Sequence, residues 1–264
     1  MSHFNNSYAV DGFNGRELLI IGRGKLARHF VFSFQLLSPE IVVHSWNREQ
    51  TLDELKVLLE KVSLVSLCIS DDSLDSVASL LESFRPRGLV AHHSGSKNVK
   101  DVWGFHPLMT FSGFEAYPSE VYQSIPFVIS PPPGRKVFEE DGRQVFEKFF
   151  PGWKNKIYFV SAEDKVRYHL ACVIAGNFPN ILWKESTSRM EALRLPLEIL
   201  KPYLEQSLEN FFSDPTGSLT GPLQRGDEST LKAHLESLKE DPFLPVYESF
   251  LHFVKSNKNK RGSL

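Results

Sequence analysis

From residue 16 to about 160 the chain repeats one arrangement: a short apolar run, a turn, then a longer segment with apolar residues every three or four positions. "ELLII" is followed by "KLARHFVFSFQLL", "IVVHSW" by "TLDELKVLLEKV", and "LVSLCIS" by "DSLDSVASLLESF", after which comes "GLVAHHSG". The short runs predict buried strands and the longer segments predict amphipathic helices. "IPFVIS" and "KIYFVS" extend the set of strands, with "FEEDGRQVFEKFF" as the helix between them and the prolines at 131–133 marking the turn into it. Strand and helix alternating in this way imply right-handed crossovers, so the pattern predicts an α/β doubly wound, mostly parallel sheet with helices on both faces.

The pattern changes after Ser161. "AEDKVRYHLACVIAGNFPNILWKESTSRMEAL", "PLEILKPYLEQSLENFF", "DESTLKAHLESL" and "PVYESFLHFVKS" carry helical spacing, and none alternates as a half-buried strand does. The expected organisation is a loose segment over residues 1–15, a dinucleotide-binding domain over 16–160 and an all-α domain over 161–264. The basic end "KSNKNKRG" reads as a frayed, solvated terminus.

A chain of 264 residues with 41% apolar and 23% charged residues has the make-up of a folded protein with a good core. A formal net charge of -2 offers no general attraction to nucleic acid. Cys68 and Cys172 sit inside apolar runs and read as reduced core residues. The opening residues have no charged-then-apolar leader, and no apolar stretch approaches the ~20 residues that span a bilayer. These features lead to the expectation of a cytoplasmic protein with neither membrane nor nucleic-acid partner. No histidine falls at a recognised ligand spacing with cysteines or carboxylates, so no metal site is expected.

The turn after the first strand reads "GRGKLA", residues 22–27. In a dinucleotide-binding turn the first glycine permits the bend and the second lets the backbone approach the pyrophosphate. A small third residue lets the helix pack on the strand. Gly22, Gly24 and Ala27 fill these roles, with Arg23, Lys25 and Leu26 between them; the competing reading is a plain turn. The second strand ends in "HSWNRE" rather than in a carboxylate that would hold a ribose hydroxyl. Arg48 can meet a 2′-phosphate with two hydrogen bonds, and Ser45 and Asn47 can add neutral ones, so NADP(H) is expected over NAD(H). Arg23 is open to two readings, a nucleotide contact or a solvated side chain.

Ser70 and Asp71 follow the third strand, where the middle of the cofactor would pass, while Asp72 or Ser73 is expected to cap the next helix. His92, His93, Ser94 and His106 fall near the carboxyl ends of neighbouring strands, where open α/β sheets place ligands. With an ordinary pKa near ~6.5, His106 could move the proton that accompanies hydride transfer, or simply bond the backbone of its loop. Pro107 holds it extended. His169 and Asn177 are about 12 Å apart along an ideal helix and about 80° around it, so they would touch different parts of one molecule. Pro179 should kink or interrupt that helix near Asn177. Arg225 could bind a substrate carboxylate or tie down neighbouring carbonyls, with Asp227 as the cap of the helix that follows.

"HHSGS", "GFHPLMTF", "YHLACVIAGN" and "LTGPLQRGDESTLKAHLESL" together resemble a family of two-domain NADP-dependent oxidoreductases whose C-terminal half is a domain of unknown function, DUF2520. The likeness runs from residue 16 to about 240. In layout that family is similar to pyrroline-5-carboxylate reductase, prephenate dehydrogenase and the 3-hydroxyacid dehydrogenases. The resemblance implies a Rossmann domain, NADP(H) as cofactor, a helical domain that makes a homodimer, and a reaction centre between the domains. It supplies no substrate. It further implies that Ser94 and Gly95 face the nicotinamide, that the His-Pro stretch lies near the substrate, and that Lys165 or His169 shares in proton transfer. The function expected is oxidation or reduction of a small polar carbonyl, imine or hydroxyacid, with His106, His169 and Asn177 as the catalytic candidates. The alternative is a catalytically silent NADP-binding sensor or regulator.

Overall fold

The computed structural model describes residues 17–261 apart from 85, 87, 136 and 137, with side chains as far as 256. The loose segment expected over 1–15 lies outside the described residues, as do the side chains of the basic end from 257 onward. Two compact units divide between Leu182 and Trp183. The change of sequence pattern after residue 160 precedes this division, because the helix that follows stays with the sheet.

The strands are β1 (Glu17–Ile21), β2 (Val42–Trp46), β3 (Leu64–Leu67), β4 (Leu89–His92), β5 (Trp103–Pro107), β6 (Phe127–Ser130) and β7 (Ile157–Phe159). They form one sheet in the order β2-β1-β3-β4-β5-β6-β7. All neighbours pair in parallel except β5 and β6, which are antiparallel. The chain runs outward from β1 to β2 and then crosses back to β3, so the strand order reverses at β1. In open α/β sheets this is where ligands sit. Strand β5 is an addition to the elements expected from the pattern: His106 and Pro107 break its apolar run, and the proline is its last residue.

Helices α1 (Lys25–Leu37), α2 (Leu52–Lys61), α3 (Asp71–Phe84), α4 (Ser119–Ser124), α5 (Glu139–Phe149) and α6 (Lys165–Cys172) complete the first unit's regular helices, and α7 (Phe178–Ala192) begins there. Alternation along β1 assigns its faces. Leu18 and Ile20 join Ala27, Phe30 and Phe34 of α1 and Phe146 of α5. Leu19 and Ile21 join Leu55 and Leu59 of α2 and Leu74 and Leu81 of α3. Both faces are therefore covered, which explains why the strands read as continuous apolar runs. Helix α2 starts with a reciprocal cap: the Glu54 N–H donates to Thr51 Oγ1 at 3.2 Å, and the Thr51 N–H donates to Glu54 Oε2 at 2.7 Å. Helix α3 begins at Asp71, so Asp72 and Ser73 lie in its first turn and neither is the cap expected from the sequence.

Residues Val173–Asn177 form a π-helical turn between α6 and α7. Pro179 follows at once and lacks the N–H that an α-helical bond would need. The interruption expected near Asn177 is this widened turn, with helix resuming at Phe178. In the second unit, a 3₁₀ turn (Leu197–Ile199) leads into α8 (Leu200–Ser213), followed by α9 (Gly221–Arg225), α10 (Glu228–Ser237) and α11 (Leu244–Arg261). Arg189 bonds both Glu185 at 2.6 Å and Asp241 at 3.0 Å, tying the start of this unit to the loop before α11. Asp227 does precede α10, but its carboxylate accepts from Arg225 instead of capping the helix.

The aromatic heart of the first unit is Phe150, fully buried at the end of α5 and in ring contact with Phe30, Phe34, Phe127 and Trp153 at centroid distances of 4.8–5.9 Å. Truncating it removes those contacts and leaves a cavity that close-packed neighbours fill only in part. Phe150→Ala is expected to lower the unfolding free energy by about 3–5 kcal/mol in urea denaturation; a loss under about 1 kcal/mol would show that this cluster does not hold the sheet.

Candidate functional site

The site begins where β1 ends. The Ile21 carbonyl accepts from the Cys68 N–H and the Gly22 N–H donates to the Trp46 carbonyl, both at 2.9 Å, so the strand is held by both neighbours up to its last residue. Gly22 then adopts φ 136°, a conformation that favours glycine. A β-carbon there would lie 2.2 Å from the Cys68 carbonyl oxygen. Gly24 precedes α1 in extended conformation, and a β-carbon on it would meet nothing within 4 Å. Helix α1 has no side-chain cap and no acidic residue in its first turn. Its amino-terminal N–H groups and the positive end of its dipole are thus presented to an anion. Ala27 is buried beneath, where a small residue lets α1 sit close to the sheet.

A cavity of about 650 Å³ opens above this turn. Gly22, Arg23, Gly24, Lys25 and Leu26 line one side, Asn47 and Arg48 another, and Ser70 a third, over an apolar wall that includes Ile69, Val77 and Leu80. Arg23 pairs with Glu49, tying the glycine turn to the loop after β2. In that loop Asn47 Oδ1 accepts from the Glu49 N–H at 3.0 Å, and Arg48 is exposed. Ser45 is exposed on β2, and Asp71 opens α3 with its carboxylate accepting from Ser96 at 2.7 Å; both stand beside the lining.

A second group of polar side chains gathers over β4, β5 and α6. Ser94 donates its N–H to His92 Nδ1 at 3.2 Å, and its hydroxyl accepts from the Ser96 and Lys97 N–H groups. His93 is held by Ser66 Oγ at 2.5 Å and by the Phe105 carbonyl at 2.7 Å. His106 Nδ1 lies 2.7 Å from the Tyr168 hydroxyl, with its ring 5.9 Å from that of His169. Gly95 closes the group: a β-carbon on it would come 2.4 Å from His169 Cδ2 and 3.0 Å from His106 Nε2.

Lys165 lies deepest, 1% exposed, with its Nζ 3.5 Å from His92 Nε2. Room for it exists because residue 104 is glycine, where a β-carbon would stand 2.5 Å from Nζ and 2.4 Å from Ser130 Oγ. Ser130 Oγ is buried without a hydrogen-bond partner among the described residues. Burial brings the Lys165 ammonium down to about 7, with the Asp71 carboxylate opposing. His92 Nδ1 accepts a hydrogen bond from the Ser94 N–H, so the ring, kept neutral first by burial, carries its hydrogen on Nε2, and the contact suits an uncharged amine. His93 falls to about 3 through burial. Burial first, then His169 and Lys165, takes His106 to about 4, against the ordinary value expected from the sequence.

Of the candidates, the structure brings Ser94, Gly95, His106 and His169 together. Asn177 is exposed at the end of the π-helical turn, and Arg225 lies in the second unit on Asp227. Tyr168, Gly104, Ser130 and Ser66 escaped the sequence reading. Of these only Gly104 carried a signal, a glycine inside a strand where something approaches closely.

Residues 137–251 match the family described as domain of unknown function (DUF2520). The chain carries a DUF2520 domain. Among solved structures it is similar to a candidate NADP oxidoreductase from Bacteroides fragilis, at 22% identity over 90% of this chain and 97% of that one, with a TM-score of 0.70. A Thermotoga maritima protein matches at 21% identity over 92% and 99%, TM-score 0.61. Plasmodium falciparum pyrroline carboxylate reductase with NADP bound matches at 11% identity over 91% and 97%, TM-score 0.54. No curated protein matches the sequence. These likenesses show a Rossmann-type α/β fold followed by helices. Among the described residues, no helix of the DUF2520-bearing chain is long and apolar enough to cross a membrane.

The buried bases make stability depend on pH in one direction. Between the folded values of about 3 for His93 and about 4 for His106 and the ordinary value of 6.5, the unfolded chain binds more protons than the folded one. Stability should be fully present above pH 6.5 as far as these histidines are concerned and fall on acidification, by up to about 1.4 kcal/mol per pH unit for each. Lys165, at about 7 against 10.5, extends the rise to more alkaline pH. Urea midpoints at pH 7 and pH 5 test this; equal midpoints would show that these rings are solvated in the folded protein.

Proposed function

We propose that the chain is an NADP(H)-dependent oxidoreductase acting on a small polar carbonyl, imine or hydroxyacid. The observation that carries this reading is the cradle at Gly22, a left-handed turn with no room for a β-carbon, opening onto an uncapped helix start inside a 650 Å³ cavity. A plain turn needs the glycine but neither the cavity nor the free helix end. The donor set fits a dinucleotide. Backbone N–H groups around Gly22–Lys25 would hold the pyrophosphate, and Arg48 with Asn47 and Ser45 the 2′-phosphate. Ser70 and Asp71 would lie along its middle, and Ser94 and Gly95 beside its reactive end.

A reduced nicotinamide, when bound, supplies a hydride. What the chain adds is a floor of glycine at residue 95 and two imidazoles, His106 and His169, facing the same space. Lys165, held down to about 7, can change charge near neutrality behind them. Asn177 and Arg225 are further candidates for binding substrate. The names of the similar structures, an NADP oxidoreductase and an NADP-bound pyrroline carboxylate reductase, support the cofactor and the reaction class. Pairing with a second copy is supported by the exposed apolar residues Val166, Leu170, Ile174, Phe178 and Ile181, which recur every three or four positions.

Calorimetric titration with NADP(H) and NAD(H) tests the reading. Arg48→Ala should weaken NADP(H) by about 1.5–3 kcal/mol and leave NAD(H) nearly unchanged. Absence of binding by both nucleotides would reduce the glycine turn to a structural one, and tight binding without turnover on any carbonyl or hydroxyacid would favour a sensor.

A further inference from the structure

The oxidoreductase reading leaves open what His106 does, and the geometry around it is specific. Its Nδ1 meets the Tyr168 hydroxyl at 2.7 Å. Burial raises the Tyr168 phenol above its ordinary value, with Cys172 adding to the shift, so the hydroxyl keeps its proton and has one to donate to Nδ1. An imidazole that accepts at Nδ1 and is uncharged must carry its hydrogen on Nε2. The groups facing the ring are Tyr168, His169 and Lys165 from α6, Asp71 from α3, His92 from the end of β4 and His93 just after it. Only Asp71 among them favours a charged ring, and it accepts from Ser96.

The Nε2 atom points at Gly95. A β-carbon there would sit 3.0 Å from Nε2, 3.1 Å from Cε1 and 2.4 Å from His169 Cδ2, so the missing side chain leaves a hollow bounded by the two rings. We propose that Tyr168 positions His106 as its Nε2–H tautomer, and that this N–H donates into the Gly95 hollow to an oxygen of the bound substrate, the carbonyl oxygen of the reaction proposed above. His106 is then a neutral polarising donor rather than a proton carrier, and Tyr168 is a positioning residue that acts through it. Only the identity of the ligand rests on the oxidoreductase reading; the tautomer and the hollow do not.

The test is ¹⁵N–¹H NMR of the histidine side chains in the full chain at pH 7, with the His106 signals assigned through His106→Gln. The wild type should show an uncharged His106 protonated at Nε2, and Tyr168→Phe should shift the ring toward a mixture of tautomers. A His106 protonated at Nδ1 or at both nitrogens, or a tautomer unmoved in a folded Tyr168→Phe, would overturn the positioning role. If that variant does not fold, the wild-type tautomer alone decides. Acetate serves as a minimal oxygen acceptor for the hollow. It should move the His106 Nε2–H proton downfield in the wild type and not in Gly95→Ala, and an unmoved wild-type signal would overturn the hollow as an oxygen site. Neither readout needs a nucleotide, so failure here and failure of NADP(H) binding are separate results.

Discussion

The close approach of Gly22 to the Cys68 carbonyl sets the geometry on which the proposed site depends. The first strand ends at the point where the sheet reverses its order, and the chain must leave it over the end of β3. A β-carbon 2.2 Å from a backbone oxygen cannot be absorbed by rotating a side chain. With glycine in place, the turn brings α1 onto the sheet with Ala27 underneath and its amino-terminal N–H groups over the cavity. The anion-binding character of the turn and the packing of the helix follow from the same missing atom.

A second missing side chain organises the polar centre. Gly104 lets a lysine amine lie against the sheet, and Gly95 leaves the space in front of His106 and His169 unfilled. Bases crowded into a site with one nearby carboxylate cannot all hold protons, because each charge costs desolvation and repels the next. His93 and His106 are therefore uncharged at pH 7, and Lys165, at about 7, changes charge there. Neutral imidazoles act through fixed hydrogens, which is why Tyr168 and Ser94 matter as much as the rings they contact.

Much of this was legible in the sequence because the relevant signals are local. The strand and helix periods and the glycine turn each occupy a few consecutive residues. Strand β5 was hidden by a histidine and a proline, and its reversal against β6 depends on a long connection that no local pattern encodes. The charge state of His106 was not legible, since it comes from burial and from Lys165 and His169, about sixty residues away in the chain. Tyr168 was hidden for the same reason, as one aromatic residue on a helix gives no sign of which ring it will meet.

Amide hydrogen exchange with and without saturating NADPH tests the central claim most directly, that one nucleotide lies from the glycine turn to the histidine centre. The account predicts slowed exchange in the segments around residues 22–27, 46–49, 69–73 and 93–96, with little change elsewhere in the sheet. Protection confined to other segments, or none at saturating nucleotide, would contradict it.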